Sequence, residues 1–173
     1  MCASLDLAAK PQLRLTELIA ALSRNAVDFV VIGGVAAQLH RLPMPATIDL
    51  DITPSRSPKN LARLAKVFDE IDAALATAGE NGTWFPRHPI SNWAQYDMIH
   101  LVTKFGLLDL VFAPAGSDDG FNELIRESQE LQFGEQTVRV ISVNTWERLK
   151  LATKRDKDIF HLLLLARHRD KRE

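Results

Sequence analysis

The apolar positions in the first third of the chain switch between the spacing of a helix and that of a strand. Apolar side chains at three- and four-residue steps predict an amphipathic helix over 12–24. The β-branched run 28–34 predicts a buried strand that ends in two glycines, and a short helix over 35–41 follows it directly. Residues 47–53 alternate in polarity and predict a second strand.

Helix-start and turn residues divide the rest of the chain. Ser57 followed by Pro58 is typical of an N-cap and a first helical position, and Asn144 with Glu147 has the form of a capping box. The polar segment 79–96 contains glycine and proline and indicates an exposed loop. The other predicted elements are a helix from 58 to about 77, a hairpin of strands 98–103 and 107–112, a short helix from 118 or 119 to 128, a strand over 137–142, and helices over 145–154 and 156–168.

Composition limits the class of protein. The 173 residues, 46% hydrophobic and 25% charged, fit one globular domain over 1–173. A net charge of −1 gives no overall attraction to nucleic acid, so RNA binding would need a local basic patch. Cys2 is the one cysteine, which excludes an internal disulfide framework. No apolar run approaches the roughly 18 residues of a membrane span, so we expect a soluble cytoplasmic protein without a membrane partner.

The segment Asp49-Leu-Asp51 is the sharpest chemical signal. Side chains two residues apart on a strand share a face, so the two carboxylates would lie side by side and repel each other. A hard cation such as Mg²⁺ prefers such an oxygen-only environment. The alternative interpretation is a strand end with two solvated acids.

Two further features fit a site for a metal-bound nucleotide. Gly33 and Gly34, between a strand and a helix, would let phosphate approach the backbone N–H groups, although a tight turn alone explains them. Asp109 is a lone acid in an apolar strand, where it needs a cation or a salt-bridge partner. If it joins Asp49 and Asp51, one metal would activate an attacking hydroxyl and another would steady a leaving pyrophosphate.

These residues carry a family resemblance. The stretches VIGGVAAQLH over 31–40 and ATIDLDI over 46–52 resemble the AbiEii/MenT group of toxin nucleotidyltransferases, within the DNA polymerase β-like nucleotidyltransferase superfamily. LKLATKRDKDI over 149–159 is similar to the late helical signature of that group. The sequence departs from the family pattern at Pro45 (often arginine), at Gly34 (serine in relatives outside this group) and at His161 (a second late acid in many relatives).

The resemblance implies a fold and an activity. The fold would be α+β (mixed α/β), with a small mixed sheet flanked by helices over about 28–142 and a C-terminal helical part over about 144–168. The activity would be transfer of a nucleoside monophosphate from an NTP to an acceptor hydroxyl, with Mg²⁺ or Mn²⁺ and release of pyrophosphate. The acceptor implied is the 3′ end of tRNA, and the biological role is that of a toxin with a cognate antitoxin protein.

The resemblance also implies roles for single residues. Asp49, Asp51 and Asp109 would bind metal, and Lys150 would contact the triphosphate together with Gly33, Gly34 and Thr47. Asp158, or Asp156 in its place, would position Lys150 or the nucleotide.

Spacing along the late helices supports part of this assignment. Lys150, Lys154 and Asp158 recur at four-residue steps and would line one helix face, although a surface ladder of Lys154 with Asp158 explains the same spacing. Cationic side chains that could contact an RNA backbone are Arg41, Arg56, Lys154, Arg155 and Lys157.

Alternatives remain at this stage. Trp84 and Trp93 could stack on a base or pack their loop onto the body. The acceptor could be a small molecule such as an aminoglycoside, or a protein side chain. The chain could also be a nucleotide-binding module without catalysis.

Overall fold

A mixed seven-stranded sheet with six helices makes up the part of the chain that the structure describes. The structure is a computed structural model, and it describes residues 11–76, 93 and 95–170. Its elements are α1 (Leu15–Arg24), β1 (Phe29–Val31), α2 (Gly33–Leu39), β2 (Asp49–Pro54), α3 (Pro58–Glu70), β3 (Ala74–Leu75), β4 (Met98–Thr103), β5 (Gly106–Val111), α4 (Phe121–Leu124), β6 (Ser128–Phe133), β7 (Gln136–Ile141), α5 (Val143–Thr153) and α6 (Asp156–Asp170). The predicted α+β class is confirmed.

The order of the strands brings distant segments together. The sheet runs β3-β4-β5-β2-β1-β7-β6. β2 pairs with β5 in parallel, β1 pairs with β7 in parallel, and the other neighbours are antiparallel. In this register Asp51 lies opposite Asp109 on one side, and His100 lies opposite Asp109 on the other. Three polar side chains therefore form a row across β2, β5 and β4.

Alternation along β2 separates the core from the polar face. Leu50 and Ile52 are fully buried, whereas Asp49 and Asp51 on the opposite face are half-buried. Helices contribute to the same core, with Leu18 and Leu22 of α1 and Leu64 of α3 fully buried. The acids are thus held on a strand that is anchored by its apolar face. No described helix combines the length and the apolar composition that crossing a membrane requires.

Several predicted boundaries were correct. Ser57 caps α3 by accepting a hydrogen bond from the backbone N–H of Asn60, and Pro58 is the first helical residue. The hairpin of β4 and β5 also forms as predicted. The prediction that α3 reaches residue 77 is wrong, because the backbone turns through a positive φ of 53° at Asp72 and β3 then pairs with β4.

Three predicted helices have different ends in the structure. The helix predicted through residue 128 is only Phe121–Leu124, because the chain then enters β6, which pairs with β7. Helix α5 begins at Val143 and is capped by Ser142, not by Asn144. The helix predicted over 35–41 begins two residues earlier, so both glycines belong to α2.

The predicted loop over 79–96 lies mostly outside the described residues, as does Trp84. Trp93 is buried and its ring stacks on Phe68, with 4.9 Å between ring centroids. Of the two interpretations of this tryptophan, the structure favours packing onto the protein body over stacking on a base.

Candidate active site

Three carboxylates meet at one position on the polar face of the sheet. Asp49 and Asp51 come from β2 and Asp109 comes from β5, which is the strand beside it. One carboxylate oxygen from each residue lies within 4.8 Å of one oxygen from each of the others. Asp109 lies 58 residues after Asp51 in the sequence. The parallel pairing of β2 with β5 therefore brings it next to Asp49 and Asp51.

The surroundings of Asp51 and Asp109 disfavour their charged forms. Burial raises the pKa of Asp51 from an ordinary 3.8 to about 6, and the negative charges of Asp49 and Asp109 add to this effect. Burial also raises the pKa of Asp109, although a hydrogen bond from His100 opposes the change. A bound cation would relieve both effects.

The chemistry of the donor set fits a hard divalent cation. All three candidate ligands are carboxylate oxygens, which Mg²⁺ and Mn²⁺ prefer over nitrogen or sulfur. Asp49 is also oriented by its surroundings, because the hydroxyl of Thr47 donates to Asp49 Oδ1 at 2.6 Å. Asp49, Asp51 and Asp109 are thus the residues that would hold such a metal.

The two glycines of α2 leave no space for a side chain. Gly33 has a φ of +64°, and a Cβ atom there would lie 1.9 Å from Asp51 Oδ2. A Cβ atom at Gly34 would lie 2.7 Å from the Cβ and hydroxyl atoms of Thr47. A serine at position 34 would therefore collide with Thr47. This packing accounts for the glycine at position 34.

A buried ion-pair cluster lies at the junction of α5 and α6. Asp158 is fully buried and accepts hydrogen bonds from Lys150 Nζ at 2.6 Å, from the Thr153 hydroxyl at 2.5 Å and from Arg155 Nε at 2.7 Å. Burial opposes ionisation of Asp158, but these three donors outweigh it and hold its pKa at about 2. Asp156 is exposed, so the late acid that contacts Lys150 is Asp158.

The predicted single face of Lys150, Lys154 and Asp158 is wrong. Helix α5 ends at Thr153, and Lys154 has a left-handed φ of 52°, so the two lysines and the acid do not share one helix. Lys154 is exposed, and the partner of Asp158 on α5 is Lys150. The four-residue spacing predicted an ion pair of Lys154 with Asp158, whereas the lysine that pairs with Asp158 is Lys150.

One cavity of about 780 Å³ joins the acids to the cationic cluster. Asp49, Asp51 and Asp109 are the only acids among its described lining residues. Gly33, Gly34 and Thr47 also line it. The cationic side chains on its wall are Lys150, Arg155 and Lys157. The lining of this cavity thus offers acids for a divalent cation and cationic side chains for an anionic ligand that carries it.

Three of the predicted RNA contacts lie elsewhere. Arg41, Arg56 and Lys154 are not among the described residues that line the cavity. The guanidinium of Arg56 lies 4.9 Å from the centroid of the Phe112 ring and donates to the Tyr96 carbonyl. These residues could contact only parts of a large acceptor that extend beyond the cavity.

Two residues of the site were missed by sequence reasoning. The indole Nε1 of Trp146 donates to the Gly33 carbonyl at 2.9 Å, and Lys150 Nζ lies 5.5 Å from the centroid of the same indole. His100 Nδ1 lies 2.9 Å from Asp109 Oδ2. No local pattern marks either residue. The alternation of β4 places His100 on one face, but only the pairing register brings it to Asp109.

Comparison with solved structures identifies the fold. A candidate nucleotidyltransferase from Thermotoga maritima, TM1012, superposes with a TM-score of 0.55 at 13% sequence identity, covering 88% of this chain and 93% of that one. The antibiotic-resistance factor ANT(2'')-Ia superposes with a TM-score of 0.52 at 16% identity, covering 89% of this chain and 81% of that one. The chain therefore shares its fold with these proteins. No protein-family model matches the sequence, and no curated protein does.

Proposed function

We propose that the protein is a metal-dependent nucleotidyltransferase that moves a nucleoside monophosphate from an NTP to an acceptor hydroxyl. The observation that carries this proposal is a cavity lined both by three clustered carboxylates and by Lys150, Arg155 and Lys157. The fold shared with TM1012 and ANT(2'')-Ia supports the same chemistry.

The reaction makes one bond to phosphorus and breaks another. The acceptor oxygen attacks the α-phosphorus, the bond from that phosphorus to the bridging oxygen of the β-phosphate breaks, and pyrophosphate leaves. A divalent cation bound by the three acids would acidify the acceptor hydroxyl and neutralise phosphate charge. Asp109 would accept the hydroxyl proton, and Lys150 would compensate the charge that develops on pyrophosphate; both side chains line the cavity.

We propose the 3′ end of tRNA as the acceptor. The described lining of the cavity carries Lys150, Arg155 and Lys157, and its carboxylates are the three of the proposed metal site. A polyanionic acceptor fits this surface, whereas an aminoglycoside, which is a polycation, would need additional acids. We also retain the toxin role with a cognate antitoxin, which rests on the sequence resemblance described above.

A second candidate acceptor is a small antibiotic molecule. This alternative is favoured by one observation, the fold shared with the antibiotic-resistance factor ANT(2'')-Ia. The two candidates predict that different acceptors take up the nucleotide, so one labelling experiment separates them.

Each α-labelled NTP is incubated with the purified protein, Mg²⁺ or Mn²⁺, and one acceptor at a time: total tRNA, an aminoglycoside panel or total protein. We expect label in tRNA, and none in tRNA whose 3′ terminal diol has been destroyed by periodate. Asp109→Asn keeps the shape of the side chain and is the matched inactive control. Label in a drug or in protein would overturn the tRNA assignment, and no transfer to any acceptor would overturn the enzymatic one.

The toxin role is tested separately in a bacterial host. We expect expression of the wild-type chain to arrest growth, and expression of Asp49→Ala at the same level to leave growth unchanged. Equal growth of the two strains would contradict the toxin role without affecting the biochemical proposal.

A further inference from the structure

His100 lines the cavity, and the proposed reaction gives it no role. It lies on β4 directly opposite Asp109 of β5, and both side chains line the cavity. Its Nδ1 atom lies 2.9 Å from Asp109 Oδ2, which is a hydrogen-bond distance. The ring is otherwise open to solvent, with 58% of the side chain exposed, whereas the Asp109 side chain is 15% exposed.

The exposure of His100 argues against a purely structural role. A side chain that is more than half exposed buries little apolar surface, so its packing contributes little to the stability of the fold. The specific contact that His100 makes within the cavity is the one to Asp109.

Asp49 and Asp109, two of the three candidate metal ligands, are held in a similar way. Asp49 accepts a hydrogen bond from the Thr47 hydroxyl at 2.6 Å, and Asp109 accepts one from His100 at 2.9 Å. In each case one carboxylate oxygen is fixed by a neighbouring donor, which restricts rotation of the group and orients its other oxygen. Outer partners of this kind orient metal ligands and tune their affinity.

We propose that His100 is a positioning residue for nucleotidyl transfer, which fixes the Asp109 carboxylate toward the metal and the acceptor hydroxyl. This inference rests on the function proposed above. The residue does not touch the reacting atoms itself. It acts through Asp109, because the row of Asp51, Asp109 and His100 across three adjacent strands places the imidazole on the outer side of the metal site.

Two amide substitutions provide a matched test. An asparagine amide can occupy the position of the histidine Nδ1 atom and keep the hydrogen bond to Asp109, whereas a glutamine amide reaches the position of Nε2 instead. His100→Asn and His100→Gln thus differ by one methylene group, and only the asparagine variant keeps the hydrogen bond to Asp109. His100→Ala removes the contact altogether.

The first readout is Mn²⁺ binding to the free protein, measured by calorimetry or electron paramagnetic resonance. We expect His100→Ala and His100→Gln to weaken Mn²⁺ binding by about 10- to 100-fold, on the scale of losing an outer partner. His100→Asn should restore binding to within about threefold of the wild type, since it keeps the donor. Equal Mn²⁺ affinity in the asparagine and glutamine variants would overturn the proposal.

The second readout is kcat with the labelled NTP and the acceptor found for the wild type, in variants with matched melting temperatures. We expect the same ranking, with kcat reduced more than KM changes, because the contact serves the reacting geometry. A wild-type kcat in His100→Ala would also overturn the proposal. If the wild type binds Mn²⁺ but transfers nothing, the proposed enzymatic function fails, while the ranking of Mn²⁺ affinities still decides the role of His100.

Discussion

At the scale of single residues, the charge of Asp51 makes the stability of the metal-free protein depend on pH. Its pKa is raised from 3.8 to about 6, first by burial and then by Asp49 and Asp109. Between these two pH values the folded protein holds a proton that the unfolded chain has released. The free energy of unfolding of the metal-free protein therefore falls as the pH rises through this window, and above it the cost is on the order of 3 kcal/mol.

We predict that Asp51→Asn raises the melting temperature of the metal-free protein by several degrees at pH 8, because the amide is never charged. At pH 4 the variant and the wild type should melt alike. Mg²⁺ should stabilise the wild type at pH 8 more than at pH 5, and should have little effect on Asp51→Asn. Thermal melts at the three pH values check this. Identical curves for both proteins at pH 8, with and without Mg²⁺, would contradict the assignment of Asp51 as a metal ligand.

At the scale of secondary-structure elements, the break between α5 and α6 decides which lysine pairs with Asp158. The chain leaves α5 after Thr153 and turns at Lys154. As a result Asp158 folds back on Lys150, whose side chain is only 12% exposed and lines the cavity. A helix continuous through this region would instead have placed Lys154 beside Asp158.

We predict that Lys150→Ala lowers turnover by about two orders of magnitude, on the scale of losing one key electrostatic group. Lys154→Ala, its neighbour in the same segment, should retain near-normal turnover and is the matched control. Because Lys150→Ala removes one partner of a buried pair, it should also destabilise the fold. Turnover is therefore measured well below both melting temperatures. If Lys154→Ala were inactive and Lys150→Ala active, the lysine used by the site would be Lys154.

At the scale of the whole molecule, the site is assembled from segments that are far apart in sequence. Trp146 of α5 is almost fully buried, and its indole N–H donates to the carbonyl of Gly33, 113 residues earlier. Gly33 in turn packs against Asp51, while Lys150 lies over the Trp146 ring. One indole therefore connects helix α5 to the segment that packs against Asp51.

We predict that Trp146→Phe lowers turnover by about tenfold or more, because it removes the hydrogen bond that fixes α5 against α2. Trp93→Phe is the matched control, since Trp93 is also buried but stacks on Phe68 and is not among the cavity residues. Both variants should lose a few degrees of melting temperature through lost packing. Kinetics well below the two melting temperatures check the prediction, and equal turnover in the two variants would contradict it.

Local periodicity in the sequence determined part of this architecture. The two-residue period of a strand placed Asp49 and Asp51 on one face, with Leu50 facing the core. The pair Ser57–Pro58 marked the start of α3, because a capping hydroxyl and a proline act on adjacent backbone groups. The apolar setting of Asp109 indicated a partner for that acid, and the α+β class followed from the family resemblance.

Only the tertiary structure decided which of these elements meet. The parallel register of β2 with β5 brought Asp109 to Asp51, and the antiparallel register of β4 added His100. The left-handed turn at Lys154 brought Asp158 to Lys150. Periodicity reports which way a side chain faces within its own element, but strand order, register and the angle between helices are set by packing between segments distant in sequence.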